Sequence, residues 1–332
     1  MKKKNLIVFD MDGVIIDVSG SYRDTVRQTT KLFFSPSQAA EFLPDPLFDL
    51  SDLAGVKQSG GLNNDWDLTY VVINLLFSLV NKDRLSENSD PWIRYRETIR
   101  LCDVTPMAEF LKSAHSPLMA LLEQKGKPED QFISNLYLGD VGSGNIIKQI
   151  FQEIYLGEEL FKSTYTLTPE VYRGEGYILR EKVLVDRSIL KDVSKEHILA
   201  VATGRPRAEA DYPLKKFNLK EYFSAIYSLD DCIREERRIS KEEGKTPSLS
   251  KPHPFMLDAI AGTFGETFDG YYYVGDMPDD MITATRSKAG FKSIGFILSS
   301  PDKESSKKDL SRAGADYIIE DFKALKKIIE SN

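Results

Sequence analysis

Leu6-Ile7-Val8-Phe9-Asp10-Met11-Asp12-Gly13-Val14 opens as four apolar residues without a break and then turns to two acids and a glycine. An unbroken apolar run of this length suits a strand buried on both faces, as in the middle of a parallel sheet, and the acids and glycine mark the loop at its carboxyl end. The pattern recurs late in the chain. Residues 198–202 end at Thr203-Gly204, 225–229 at Asp230-Asp231 and 271–274 at Gly275-Asp276, and further apolar runs follow at 293–298 and 317–319. Helical periodicity fills the intervals, at 207–217, 254–263, 278–289 and 322–329. Strand and helix alternate, so the expected fold class is α/β, a doubly wound parallel sheet with helices on both faces.

Between the first strand and the others the pattern changes. Amphipathic segments at 22–34, 66–80, 107–111 and 146–155 come with few convincing strands, which reads as a mostly helical insertion. Because it interrupts the α/β unit directly after the first strand, it is expected to sit as a lid or cap above that strand's carboxyl end, where doubly wound folds bind ligands. The expected domains are an α/β core of residues 1–18 and 185–332 and a helical cap of residues 19–184. The mixed charge run 234–245 reads as a solvated helix.

Composition removes several function classes. The chain has 332 residues, with 44 Lys and Arg against 51 Asp and Glu, and so lacks the basic excess that binding to a nucleic-acid backbone requires. Cys102 and Cys232 are the two cysteines; they form no CxxC and no Cys/His cluster, which excludes a disulfide framework and a zinc site and suits a reducing cytoplasm. Lys2 to Lys4 precede an apolar run, but Asp10 ends it too early for a signal peptide. The longest other apolar stretch, 68–80, contains Thr69, Asn74 and Ser78 and falls short of the ~20 residues of a membrane span. Neither nucleic acid nor membrane is expected as a partner.

Asp10 and Asp12 stand two apart at a strand end, so their side chains point to one side. Alone, the pair fits a capped turn, a sugar-nucleotide transferase or the start of a calcium loop, although Gly13 follows where a calcium loop needs further ligands. Three more signals fall on the same rim. Thr203 and Gly204 offer a hydroxyl and an open backbone N–H, Lys251 in Lys-Pro-His-Pro offers a positive charge, and Gly-Asp-Met-Pro-Asp-Asp supplies Asp276 and Asp280.

In this order, DMDGV, ATGR, KPHP and GDMPDD resemble the four motifs of the haloacid dehalogenase-like hydrolase superfamily. The resemblance covers residues 6–17 and 181–320. The helical insertion after the first motif resembles the subfamily that includes phosphoglycolate phosphatase and β-phosphoglucomutase, and residues 19–23 and 60–69 resemble a less characterised branch of it. Two features depart from the pattern: the cap is longer than the simplest ones, and His253 replaces an Asp often seen in the third motif.

The resemblance implies a Mg²⁺-dependent phosphomonoester hydrolase acting on a small phosphorylated metabolite. Asp10 would accept the phosphoryl group as an aspartyl-phosphate, and Asp12 would act as acid and then base. Thr203 and Gly204 would bind the phosphoryl group and Lys251 would supply charge. Asp10, Asp276 and the backbone carbonyl of Asp12 would hold the metal, with Asp280 orienting Lys251 or a metal-bound water. Electrostatics points the same way, since the ionised Asp10, Asp276 and Asp280 are balanced by one Mg²⁺ and Lys251. A phosphomutase keeps the same residues, and a metal-stabilised interaction protein retaining the fold is the non-enzymatic alternative. Halide release would need no acid at position 12, and a phosphonatase would need a cap lysine, for which Lys57 is available.

Substrate selection is expected in the cap, at Lys57, Asn64, Asp65 and Trp66. Residues 60–67 combine two Gly, two Asn, two Asp and a Trp, which suits a hydroxyl-rich leaving group such as a sugar or polyol phosphate. The plainer reading is a helix start capped by Asn63 or Asn64, with Trp66 in the cap core. His115, His197 and His253 have no spacing suited to a metal or a triad.

Overall fold

The computed structural model describes residues 4–58, 64–82, 84–265, 267–300 and 302–331. Its strands are β1 (Asn5–Phe9), β2 (Ile16–Asp17), β3 (Lys182–Val183), β4 (Ile198–Ala202), β5 (Ala225–Tyr227), β6 (Gly270–Gly275), β7 (Lys292–Phe296) and β8 (Tyr317–Ile319). Six of them form one parallel sheet in the order β5-β4-β1-β6-β7-β8. β1 is central, with Ile7 opposite Leu199 of β4 and Tyr272 of β6.

The apolar run of β1 has its cause in this position. Ile7 and Phe9 enter one core with Leu199, Val201, Val274 and Phe322. Leu6 and Val8 enter another with Ala200, Ala202, Tyr273 and Met256. With both faces covered, alternation has no solvent side to serve. The chain adds β4 and β5 on one flank of β1 and then crosses to build β6, β7 and β8 on the other. The direction of winding therefore reverses beside β1, and the carboxyl end of such a switch point is where open α/β sheets place their ligands.

The chain divides into two compact units, residues 1–18 with 181–332, and residues 19–180. The return to the α/β unit comes before the expected residue 185. Glu181 is already buried against Arg205, and β3 pairs antiparallel with β2 through Ile16 and Val183, so residues 181–184 belong to the α/β unit. The strand expected over 225–229 ends at Tyr227, because Ser228 takes the N-cap of the helix Leu229–Glu243, its N–H donating to Asp231 at 2.8 Å.

The other unit is helical, built on Tyr22–Phe34, Leu50–Gln58, Asp65–Phe77, Pro91–Leu101, Thr105–Ser113, Pro117–Lys125 and Ile146–Tyr165. Tyr22 stacks on Tyr155 with ring centroids 4.2 Å apart. The fully buried Glu153 accepts the backbone N–H groups of Glu170, Val171 and Tyr172, tying the return segment to its helix. Among the described residues no helix is long and apolar enough to cross a membrane.

Candidate active site

Asp10 is the first residue beyond β1, and its N–H donates to the Val274 carbonyl of β6 at 2.8 Å. The chain then folds back at once, with Gly13 N–H bonded to the Ile16 carbonyl. Gly13 has φ +73°, and a Cβ there would lie 2.1 Å from Asp276 Oδ2. Only glycine meets both demands. The Ser299 hydroxyl donates to the Gly13 carbonyl at 2.8 Å and pins the loop from the β7 side.

β6 delivers the next acids. Gly275 lets the chain turn against the following helix, since a Cβ on it would meet Asp280 Cβ at 2.2 Å. Asp276 follows, and Asp280 lies in the first turn of the helix Pro278–Arg286, where its Oδ2 accepts the Met277 N–H at 3.0 Å. Carboxylate oxygens of Asp10, Asp276 and Asp280 lie within 4.8 Å of one another. Lys251 Nζ bridges two of them, at 2.7 Å from Asp10 and 2.8 Å from Asp280. The buried Tyr273 hydroxyl donates to the same Asp280 oxygen at 2.8 Å.

The electrostatics follow from this crowding. Burial pushes the Asp10 carboxyl up to about 7, helped by Asp280 and Asp12 and opposed by Lys251. Burial alone would lower Lys251, but Asp10 and Asp280 hold its ammonium above the ordinary lysine value. Burial and the neighbouring carboxylates also raise Tyr273, so it stays a donor. A cluster of hard oxygen donors, rich in carboxylate and held by one lysine, fits a divalent cation.

Thr203 is buried just past β4, its N–H bonded to the Tyr227 carbonyl of β5. Gly204 faces open space: no heavy atom would lie within 4 Å of a Cβ there. The sheet thus brings Asp10, Asp12, Thr203, Gly204 and Asp276 to the carboxyl ends of adjacent strands and the loops that follow them, with Asp280 on the next helix and Lys251 reaching in from the segment between the helices Leu229–Glu243 and Phe255–Thr263. The Asp12 Oδ1 is taken by Arg205, 2.7 Å from Nε.

The sequence-expected selection residues belong to the helical unit. Lys57 pairs with Asp65 at 3.0 Å, and Asn64 caps the helix Asp65–Phe77 by accepting the Asp67 N–H at 2.7 Å. Lys148 Nζ lies 4.1 Å from the Trp66 ring centroid. Gly60 to Asn63, the rest of that expectation, lie outside the described residues.

Sequence reading missed Arg205, Glu181, Tyr273 and Ser299. Arg205 stood in view after Thr-Gly, but what gives it meaning is a buried carboxylate earlier in the chain. Tyr273 passed as one apolar residue among several in a strand.

A model of the haloacid dehalogenase-like hydrolase family matches residues 4–287. No curated protein sequence matches the chain. Among solved structures, a Northeast Structural Genomics Consortium target is 21% identical with a TM-score of 0.61, covering 99% of this chain and 98% of its own. A phosphatase from Thermococcus thioreducens is 21% identical with a TM-score of 0.52, covering 92% of this chain and 99% of its own. At that identity the likeness is one of fold.

Proposed function

The chain belongs to the haloacid dehalogenase-like hydrolase family, and from that premise we propose that it is a magnesium-dependent phosphomonoesterase acting through an aspartyl-phosphate on a small phosphorylated metabolite. The observation that carries the reading is the convergence of Asp10, Asp276 and Asp280 within 4.8 Å, with Lys251 bridging Asp10 and Asp280. A phosphate dianion would be repelled by such a group of carboxylates unless cations were built in.

Asp10 and Asp276 would hold Mg²⁺ through their side chains and Asp12 through its backbone carbonyl, and the bound ion would neutralise charge on the phosphoryl oxygens. Asp280, already engaged by Lys251, Tyr273 and the Met277 N–H, serves to orient the lysine. In the first half-reaction an Asp10 oxygen bonds to phosphorus as the ester P–O bond breaks, and Asp12 gives its proton to the departing alkoxide. In the second, Asp12 takes a proton from water, the water oxygen bonds to phosphorus, and the Asp10–phosphorus bond breaks to release inorganic phosphate. The Thr203 hydroxyl and the Gly204 N–H bind phosphoryl oxygens during both steps.

The helical unit enters the chain between β2 and β3, directly after the catalytic loop, and we assign it the cap role and the choice of leaving group. A sugar or polyol phosphate is favoured. The free, buried Cys102 and Cys232 suit a cytoplasmic enzyme. A screen of sugar phosphates, polyol phosphates, phosphoglycolate and nucleotides with Mg²⁺ tests the reading. Inorganic phosphate released with a strong preference for one compound supports it; isomer formation without phosphate release would replace it with a phosphomutase, and metal binding without turnover would leave an interaction protein.

A further inference from the structure

Arg205 is an arginine sealed inside the α/β unit with one edge of its guanidinium turned to the catalytic loop. Its side chain is 1% exposed, and that of its partner Glu181 is 0% exposed. Nη1 donates to Glu181 Oε2 at 3.1 Å and Nη2 to Oε1 at 3.0 Å, the bidentate fork that a planar guanidinium makes with a carboxylate. Nη1 also reaches the Glu209 carbonyl at 3.3 Å, and the Arg205 backbone N–H reaches Thr203 Oγ1 at 3.2 Å. The remaining edge meets Asp12, with Nε 2.7 Å and Nη2 2.6 Å from Oδ1.

We infer that Glu181 and Arg205 are positioning residues that fix the orientation of the Asp12 carboxyl for proton transfer. The inference rests on Asp12 being the acid and base of the proposed reaction. A buried ion pair is weak evidence for stability, because desolvating both charges costs about as much as their attraction returns. A pair serving only the fold would be complete between Arg205 and Glu181. Here the pair is closed to solvent while its third partner, the Asp12 side chain, is 35% exposed, as a group that meets substrate must be.

The geometry also selects one oxygen. Nε and Nη2 both meet Oδ1, and holding that oxygen fixes the carboxyl plane. A lysine would give a charge without a plane. The carboxyl is held from three parts of the chain: the loop after β1, the loop after β4, and Glu181 on the segment leading into β3. An acid displaced by a fraction of an ångström from its productive angle loses much of its effect, so support of this kind is a rate determinant.

The test compares two aryl esters of the same shape, p-nitrophenyl phosphate with an activated leaving group and phenyl phosphate with a poor one. Arg205→Ala alone would strand a buried carboxylate, so the working variant is Arg205→Met with Glu181→Gln, which removes both charges together; its thermal unfolding is recorded beside wild type. It is expected to lose about ten- to a hundredfold in kcat/KM on phenyl phosphate and under about threefold on p-nitrophenyl phosphate. Arg205→Lys with Glu181 retained is expected to recover only part of the loss. In an Asp12→Asn background the same pair of substitutions should produce no further difference between the two esters.

Equal losses on both esters, or no loss, would overturn the positioning inference while leaving the Asp12 assignment in place, provided Asp12→Asn itself penalises phenyl phosphate more. If Asp12→Asn penalises both esters equally in the phosphorylation step, the acid role of Asp12 fails, and the inference fails with it.

Discussion

Gly13 carries φ +73° with a virtual Cβ 2.1 Å from Asp276 Oδ2, so Gly13→Ala strains the backbone and pushes on a proposed metal ligand together. The left-handed conformation alone costs an alanine about 1 to 2 kcal/mol. Urea unfolding should register at least that loss, and phosphatase activity should fall by more than about tenfold as the ligand is displaced. An active, equally stable variant would contradict the geometry of the loop. Asp10 supports a second expectation. Its folded carboxyl titrates at about 7 against 3.8 for an ordinary aspartate, so in the metal-free protein its contribution favours the folded state at low pH and is lost as pH rises through the folded value. Asn has no proton to lose. The stability of Asp10→Asn relative to wild type should therefore increase between pH 5 and pH 8 in chelator, and a difference that does not change with pH would refute the burial argument.

At the scale of elements, legibility followed burial. The run opening at Leu6 is legible because a central strand with both faces covered leaves no polar position, and 198–202 is legible for the same reason with the observed bounds; 317–319 also has the observed bounds, although β8 lies at the sheet edge. The helix Tyr22–Phe34 was equally plain from its one apolar face. By contrast, β2 and β3 are two residues each, too short for any period to show, so the return at residue 181 leaves no trace in the sequence pattern. The helix expected over 146–155 continues only to a kink at Gly157, whose φ 72° and ψ 171° are not helical and where a Cβ would meet Gly176 N at 2.2 Å, and a second helical stretch follows to Tyr165. The candidate site is legible where one strand end carries its own signature, as at Asp10, Thr203 and Asp276. It is not legible where a role depends on a distant buried partner, as with Arg205 and Glu181. Asn64 belongs between these cases. As a cap, its replacement by Ala should cost about 1 kcal/mol of stability; as a substrate contact it should also lower kcat/KM for the true substrate by about ten- to a thousandfold while sparing p-nitrophenyl phosphate. Stability loss with kcat/KM unchanged would leave Asn64 a cap and place the selecting residues elsewhere in the helical unit.

For the whole molecule, folding is what creates the proposed metal site, since residues 10, 276 and 280 meet only once β1 and β6 pair. An ion that binds the folded state alone should stabilise it by about 2.7 kcal/mol at a hundred times its dissociation constant. Mg²⁺ should thus raise the unfolding midpoint of wild type but not of Asp276→Ala; an equal rise in both would move the ion to another site. The central claim, phosphoryl transfer through Asp10, is tested most directly by inorganic phosphate release from p-nitrophenyl phosphate in Mg²⁺, wild type beside folded Asp10→Asn. The account expects steady turnover by wild type, abolished by chelator, and a loss of at least about a thousandfold in the variant, whose amide cannot accept the phosphoryl group. Variant activity within about tenfold of wild type would contradict it.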